Sequence, residues 1–214
     1  MRRVPVKLLA IPGSHPCAAA EAMLTAKRVP YERIDLIPAL SRAGLRATGF
    51  GAGTVPALRI EGTRIQGTRV IARNLDARWP EPTLFPADPA ARERTEAIEA
   101  WADGPLQAVV RRIILWSIVR SRTAVPAFLE GARLQLHIPV ALAALPPVAM
   151  PVLRLDGALS AADYQIAGSV RRLLAFDDLA VVPADRPAAG LTRRLIPVFP
   201  AHVPRGVLPA EWLQ

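Results

Sequence analysis

The sequence predicts an α/β domain built on a mixed four-stranded sheet, followed by an all-α helical domain. Three observations predict it. A β-α-β then β-β-α succession is readable up to residue 79, a proline-rich break follows, and the second half shows helical periodicity behind an explicit helix start. The 214 residues are 51% apolar and 21% charged, which excludes an extensively disordered chain and allows cores of ordinary size. With 22 prolines the chain is not a long uninterrupted coiled coil.

Val4 to Ile11 reads as a buried strand, ended by the Pro12-Gly13 turn. Pro16 to Arg28 is rich in alanine and unbranched residues and reads as a helix. Tyr31 to Ile37 alternates as a second strand, with Ile34 and Leu36 on one face. The glycine-rich interval from Pro38 to Gly53 reads as loop with at most a short helix. Ala57 to Ile60 and Thr63 to Gln66 flank Glu61-Gly62, a two-residue hairpin signal, and a helix runs from Arg69 to Trp79. Each apolar sheet face then needs a helical cover.

The expected organisation is 1–79 as the first domain, 80–88 as linker, 89–182 as the helical domain, and 183–214 as a proline-rich tail laid over it and pinned by Trp212. Asp88-Pro89 supplies an N-cap and a first-turn proline for a long helix, which Gly104-Pro105 should kink or divide before its end near Arg122. Ser160-Ala161-Ala162-Asp163 is a capping box with Asp in place of Glu or Gln, followed by Ile166, Val170, Leu173 and Leu174 at helical spacing.

Charge and cysteine content narrow the classes of function. The net charge is +9, and all but Lys7 and Lys27 of the 27 basic residues are Arg. The Arg pairs are dispersed and no aromatics interleave with them, so nucleic acid is not the expected partner. A basic surface suits small anionic substrates better. The single cysteine, Cys17, excludes an intrachain disulfide framework and favours a reducing, cytoplasmic compartment. Leu134 to Leu153 lacks charged side chains over a bilayer-spanning length, but four prolines interrupt it, so a buried helix with turns is expected instead. No histidine-cysteine spacing suits zinc.

Ser14-His15-Pro16-Cys17 falls where the first strand gives way to the first helix. A helix start favours an anion, and a Ser14 hydroxyl there could donate to a thiolate. The plainer reading makes Ser14 a simple N-cap, Cys17 a small buried residue and His15 a solvated turn residue. Disulfide cycling is not expected, because Ser14 stands where a Cys-x-x-Cys site needs its attacking thiol. Before the third strand, Thr54-Val55-Pro56 permits a cis bond that would turn the Val55 main chain outward, free to pair with an extended peptide. Gln66-Gly67-Thr68 ends a strand and opens a helix, with Thr68 either as N-cap or as part of a site for a carboxylate.

Together, in this order and spacing, these residues resemble the glutathione S-transferase superfamily, over nearly the whole chain. The first domain resembles the family's thioredoxin-like domain through Ser14-His15-Pro16-Cys17, Val55-Pro56 and Gly67-Thr68-Arg69-Val70-Ile71. The second resembles its all-helical domain through Leu159-Ser160-Ala161-Ala162-Asp163 and Ser169-Val170-Arg171-Arg172-Leu173-Leu174. The resemblance implies glutathione as co-substrate. Ser14 would hydrogen-bond its thiolate, and Val55, ahead of a family-typical cis Pro56, would pair with its cysteinyl part. Thr68 would hold the γ-glutamyl carboxylate, and a hydrophobic electrophile would lie against Trp101, Leu106 or Trp116. A homodimer without membrane insertion is also implied. One family contact departs: the acidic residue that meets the γ-glutamyl ammonium is Gly67 here, leaving Gln66 or another chain to replace it. Another low-molecular-weight thiol, or a non-catalytic binding role, is the alternative.

Overall fold

The computed structural model describes residues 6–37, 40–120, 160–179, 187–199, 201–208 and 210. Four strands form one sheet in the order β2-β1-β3-β4: β1 (Val6–Ala10), β2 (Tyr31–Asp35), β3 (Ala57–Ile60) and β4 (Thr63–Gln66). β1 and β2 are parallel, joined by a crossover through α1 (His15–Ala26), while β3 runs antiparallel to both β1 and β4. The expected mixed sheet is therefore present. Its hairpin turns on Glu61 and Gly62, both at positive φ (50° and 86°), as a two-residue connection of the mirror-image type requires.

One sheet face is apolar across β1, β3 and β4, with Arg33 and Asp35 of β2 at its border opposite Leu8 and Ala10. Val6, Leu8, Ala10, Leu58, Ile60 and Ile65 bury against Met23 and Leu24 of α1 and Ile71 and Leu75 of α3 (Thr68–Arg78). The other face is divided. Leu9 and Ala57 pack with Ile34, Leu36 and Phe50 beneath Leu45 of α2 (Ser41–Ala47), the short helix of the glycine-rich interval.

After α3 the chain is held at once. Lys27, at the end of α1, donates to Asp76 Oδ1 (2.6 Å) and to the Trp79 carbonyl, while Leu84 N donates to the same carboxylate oxygen (2.7 Å). Helix α4 (Pro89–Trp101) starts on Asp88, whose carboxylate accepts from Ala91 N. Gly104-Pro105 does not divide the helix. The chain passes through one wide turn, Ala102–Leu106, and continues as α5 (Gln107–Arg120). Proline has no N–H to give, and a local widening of this kind lets the axis continue past it.

Helix α6 (Ala161–Leu173) begins at the expected capping box. Ser160 N (2.6 Å) and Oγ (2.7 Å) both donate to Asp163 Oδ2. Its first turn is not confined to a separate helical core: Ala161 and Tyr164 belong to the same buried cluster as the sheet, and Ala161 N donates to the Leu84 carbonyl. Gly168 is where α6 meets α1, since a Cβ there would lie 2.6 Å from the His15 carbonyl. The proline-rich end is more regular than its composition suggests. It holds a helix, α7 (Pro187–Leu195), because Pro187 sits at the helix start, where its missing N–H costs nothing. Beyond it, Asp178 accepts from the N–H groups of Gly206, Val207 and Leu208 and straps residues 206–208 to the end of α6. The segment 134–153, His137 and Trp212 lie outside the described residues.

Candidate functional site

Strand register assembles the site. Leu9, Ala57 and Gln66 lie opposite one another across β1, β3 and β4. The segments that leave this end of the sheet are therefore neighbours: Ser14 at the start of α1, Val55-Pro56 ahead of β3, and Gly67-Thr68 at the start of α3. All six residues expected at the site come from this one edge.

The Val55–Pro56 bond is cis. Both ladders of β3 begin at Ala57, so Val55 lies outside them, while Pro56 O accepts from Gly67 N (3.0 Å). Val55 is half-buried and Pro56 buried. At α1, Ser14 occupies the N-cap, and its carbonyl accepts from Ala18 N, yet its side chain does not cap the helix. The hydroxyl faces the Cys17 thiol instead. Burial pushes that thiol up to about 11, against the opposing pull of the Ser14 hydroxyl and the Ile11 main chain. Cys17 is thus a protonated core residue and not a nucleophile.

His15 is not a solvated turn residue. It is the first residue of α1, 4% exposed, with no hydrogen-bond partner for Nε2. Burial, with Arg172 and then Arg111 nearby, drives its pKa down to about 3, so the ring is neutral at ordinary pH. The packing of α6 over the first turn of α1 buries it, and no local pattern in the sequence announces that.

Helix α3 starts one residue earlier than expected, so Thr68 is its first residue and Gly67 its N-cap. Thr68 is buried and is not the cap. Gly67 adopts φ +88°, a region that disfavours any side chain, although the space beside it is open. Gln66 is committed elsewhere: Nε2 donates to the Ala52 and Thr54 carbonyls (2.7 Å each) and Oε1 accepts from Ala52 N. It braces the loop that leads into Val55.

Two further features were not legible in the sequence. Glu99 of α4 is wholly buried, accepting from Arg69, Arg73 and Gln165, and so ties the start of α3 to α4 and α6. Arg42 of α2 runs along Gly53, where its Nε would lie 2.5 Å from an added Cβ. Of the proposed substrate wall, Leu106 is a core residue packed with Ile166, and Trp101 packs partly buried against the same cluster. The Trp116 side chain lies outside the described residues. Among the described residues there is no cluster of metal ligands, and no helix is long and apolar enough to cross a membrane.

A βαβ–ββα sheet with a cis-proline opening its third strand, bound through a shared core to a set of helices, defines a thioredoxin-like domain carrying a helical one. Residues 8–83 match the family model described as glutathione S-transferase, N-terminal domain. Those residues therefore form a domain of the glutathione S-transferase N-terminal type, and the described residues share the thioredoxin-like plus helical fold. No curated protein sequence matches it. Among solved structures, a GST-like protein from Pseudomonas syringae is 20% identical over 94% of this chain and 70% of its own, with a TM-score of 0.64. FzlA from C. crescentus is 18% identical over 98% of both chains, TM-score 0.62, and a glutathione S-transferase from Rhodospirillum rubrum is 19% identical over 94% and 97%, TM-score 0.59. Alignments to the tau-class protein of mango and the theta-class protein of Xanthomonas axonopodis span about half of those chains, 50% and 57%.

Proposed function

We propose that the chain binds glutathione along this sheet edge and activates its thiol for attack on a hydrophobic electrophile. The observation that carries the reading is the pair formed by the cis Val55–Pro56 turn and the uncapped start of α1, which leave the same end of the sheet. An extended peptide can take two main-chain hydrogen bonds from Val55, as in strand addition. Its sulfur would lie at the amino end of α1, where the helix field and the Ser14 hydroxyl favour the thiolate. A carboxylate would take the open start of α3 at Thr68, and Arg42 along Gly53 would attract the second carboxylate of a tripeptide carrying net negative charge. Gln66 acts as a positioning residue for Val55 in this reading, not as a ligand to the ammonium.

In the reaction, the thiol proton leaves to solvent and sulfur forms a bond to the electrophilic carbon. With an aryl halide the carbon–halogen bond breaks and the halide departs with its electron pair. Ser14→Ala should lower kcat for an activated aryl halide roughly ten- to hundredfold, the worth of one hydrogen bond to a charged group, with glutathione affinity nearly unchanged. Unchanged turnover removes Ser14 from the chemistry. A cytoplasmic homodimer is part of the same reading.

The second reading is a binding protein on the same scaffold, or an enzyme for another low-molecular-weight thiol. It is favoured by Gly67, which brings no carboxylate to the ammonium, and by the engagement of the Ser14 hydroxyl with Cys17. Failure to bind glutathione in calorimetry selects it.

A further inference from the structure

Apart from Arg28, just past the end of α1, the described arginines of the first domain fall into two groups. Arg33, Arg69, Arg73 and Arg78 each have a carboxylate partner. Arg42, Arg46, Arg59 and Arg64 have none among the described residues, and they stand together on the flank formed by α2, β3 and β4. Register sets the last two face to face: Arg59 pairs directly with Arg64 across β3 and β4, and Lys7 lies beyond Arg59 on β1. Like charges directly opposed across strands are destabilising. What the fold offers in return is one neutral acceptor. Arg59 Nη2 (3.3 Å) and Arg64 Nε (3.0 Å) both donate to the Thr48 carbonyl at the end of α2, and Arg59 Nε is buried without a partner. Two guanidinium groups carry ten N–H donors in all, so most of their donor capacity is unspent.

The same flank ends in a free sheet edge. β4 is the outermost strand. Because Gly67 N bonds Pro56 O, the hydrogen-bonded pairs of the hairpin are Pro56 with Gly67, Leu58 with Ile65 and Ile60 with Thr63. The main-chain groups of Arg64 therefore point outward, away from β3. A strand added there in antiparallel pairing would set one residue directly opposite Arg64, its side chain on the face that carries Arg59 and Arg64. A carboxylate at that position would supply the charge the pair lacks.

We propose that this flank docks an extended acidic segment of a partner protein, laid along β4 with its carboxylates over Arg59 and Arg64. The free edge favours a polypeptide over a nucleic acid, since main-chain pairing is of no use to a phosphate backbone, and among the described residues the flank exposes no aromatic ring on which bases could stack. The Arg59–Arg64 pair on which the proposal rests takes no part in the thiol-binding reading, so the proposal stands without it.

The test is fluorescence anisotropy of a short labelled peptide of alternating Glu and Thr, at low ionic strength, against the full chain. Saturable binding is expected, and the R59Q/R64Q variant should weaken it about tenfold or more, the scale of a lost charge-assisted hydrogen bond. R94Q, an exposed arginine of α4, should leave it unchanged. Removing an opposed like-charge pair is not expected to unfold the chain. Replacing Glu by Gln in the peptide should abolish binding to the unaltered protein, and proline at alternate positions should weaken it by blocking strand pairing. Absence of binding, equal weakening by R94Q, indifference to the prolines, or tighter binding of a single-stranded oligonucleotide dependent on Arg59 and Arg64 would each overturn the proposal.

Discussion

The two halves of the molecule start their helices differently. In the helical half, α4 and α6 are closed by side chains: Asp88 accepts from Ala91 N, and Asp163 accepts from Ser160 N and Oγ. In the sheet half, α1 and α3 start on Ser14 and Gly67, and neither receives a side-chain cap. Serine stands at the N-cap of both α1 and α6, so residue type does not decide the matter. What decides it is the third residue into the helix: Asp163 can reach back, whereas Cys17 cannot. Capped starts stabilise folding, and uncapped starts leave N–H groups and a positive helix end available to an anion. The two open starts leave the same end of the sheet.

The comparison breaks most sharply at Asp163. Asp163→Ala orphans two buried donors of Ser160 and should cost about 2–3 kcal/mol in urea unfolding. A cost near zero would mean that the α6 cap is ornamental. Gly168→Ala presses a methyl group against the His15 carbonyl and should cost about 2 kcal/mol while disturbing the first turn of α1. Reduced glutathione turnover beyond the loss of folded protein would show that α6 positions the open helix start.

Acid should act through the same seam. His15 titrates near 3 in the fold against an ordinary 6.5, because of burial and the neighbouring Arg172 and Arg111. The unfolded chain takes up this proton first, so the His15 contribution to stability is present above about pH 6.5 and is lost as pH falls towards 3. His15→Gln should flatten that part of the stability–pH curve; an unaltered slope assigns the acid sensitivity to other groups. At Gly67, positive φ makes Gly67→Asp cost about 1 kcal/mol of stability. The same change should raise glutathione affinity by up to about tenfold if the missing ammonium contact matters. Calorimetry that shows no gain would dismiss that contact.

Legibility followed the range of the interaction. The hairpin at Glu61-Gly62, the Asp88 cap and the Ser160–Asp163 box depend on residues within four positions of each other, and all three stand where the sequence places them. Where proline intervenes the sequence says less: Gly104-Pro105 signals a kink or a division, and the backbone absorbs it in a widened turn, while Pro187 stands at the start of a helix for which the proline-rich composition gives no signal. Of the site, Ser14, Val55, Pro56 and Thr68 were legible as helix and strand boundaries. Gln66 was legible as a residue but not in its task, which depends on a loop folding back fourteen positions away.

From the sequence alone followed the order of elements, the cis-capable proline ahead of β3 and the closed start of α6, because each is written in neighbouring residues. Only the tertiary structure decided that His15 is buried and neutral and that Glu99 is a buried anchor for Arg69 and Arg73. It also decided that Arg59 and Arg64, set opposite each other by the hairpin, have no carboxylate partner among the described residues. Those outcomes depend on which surfaces meet, and burial and electrostatic partnership are properties of that meeting rather than of any local run of residues.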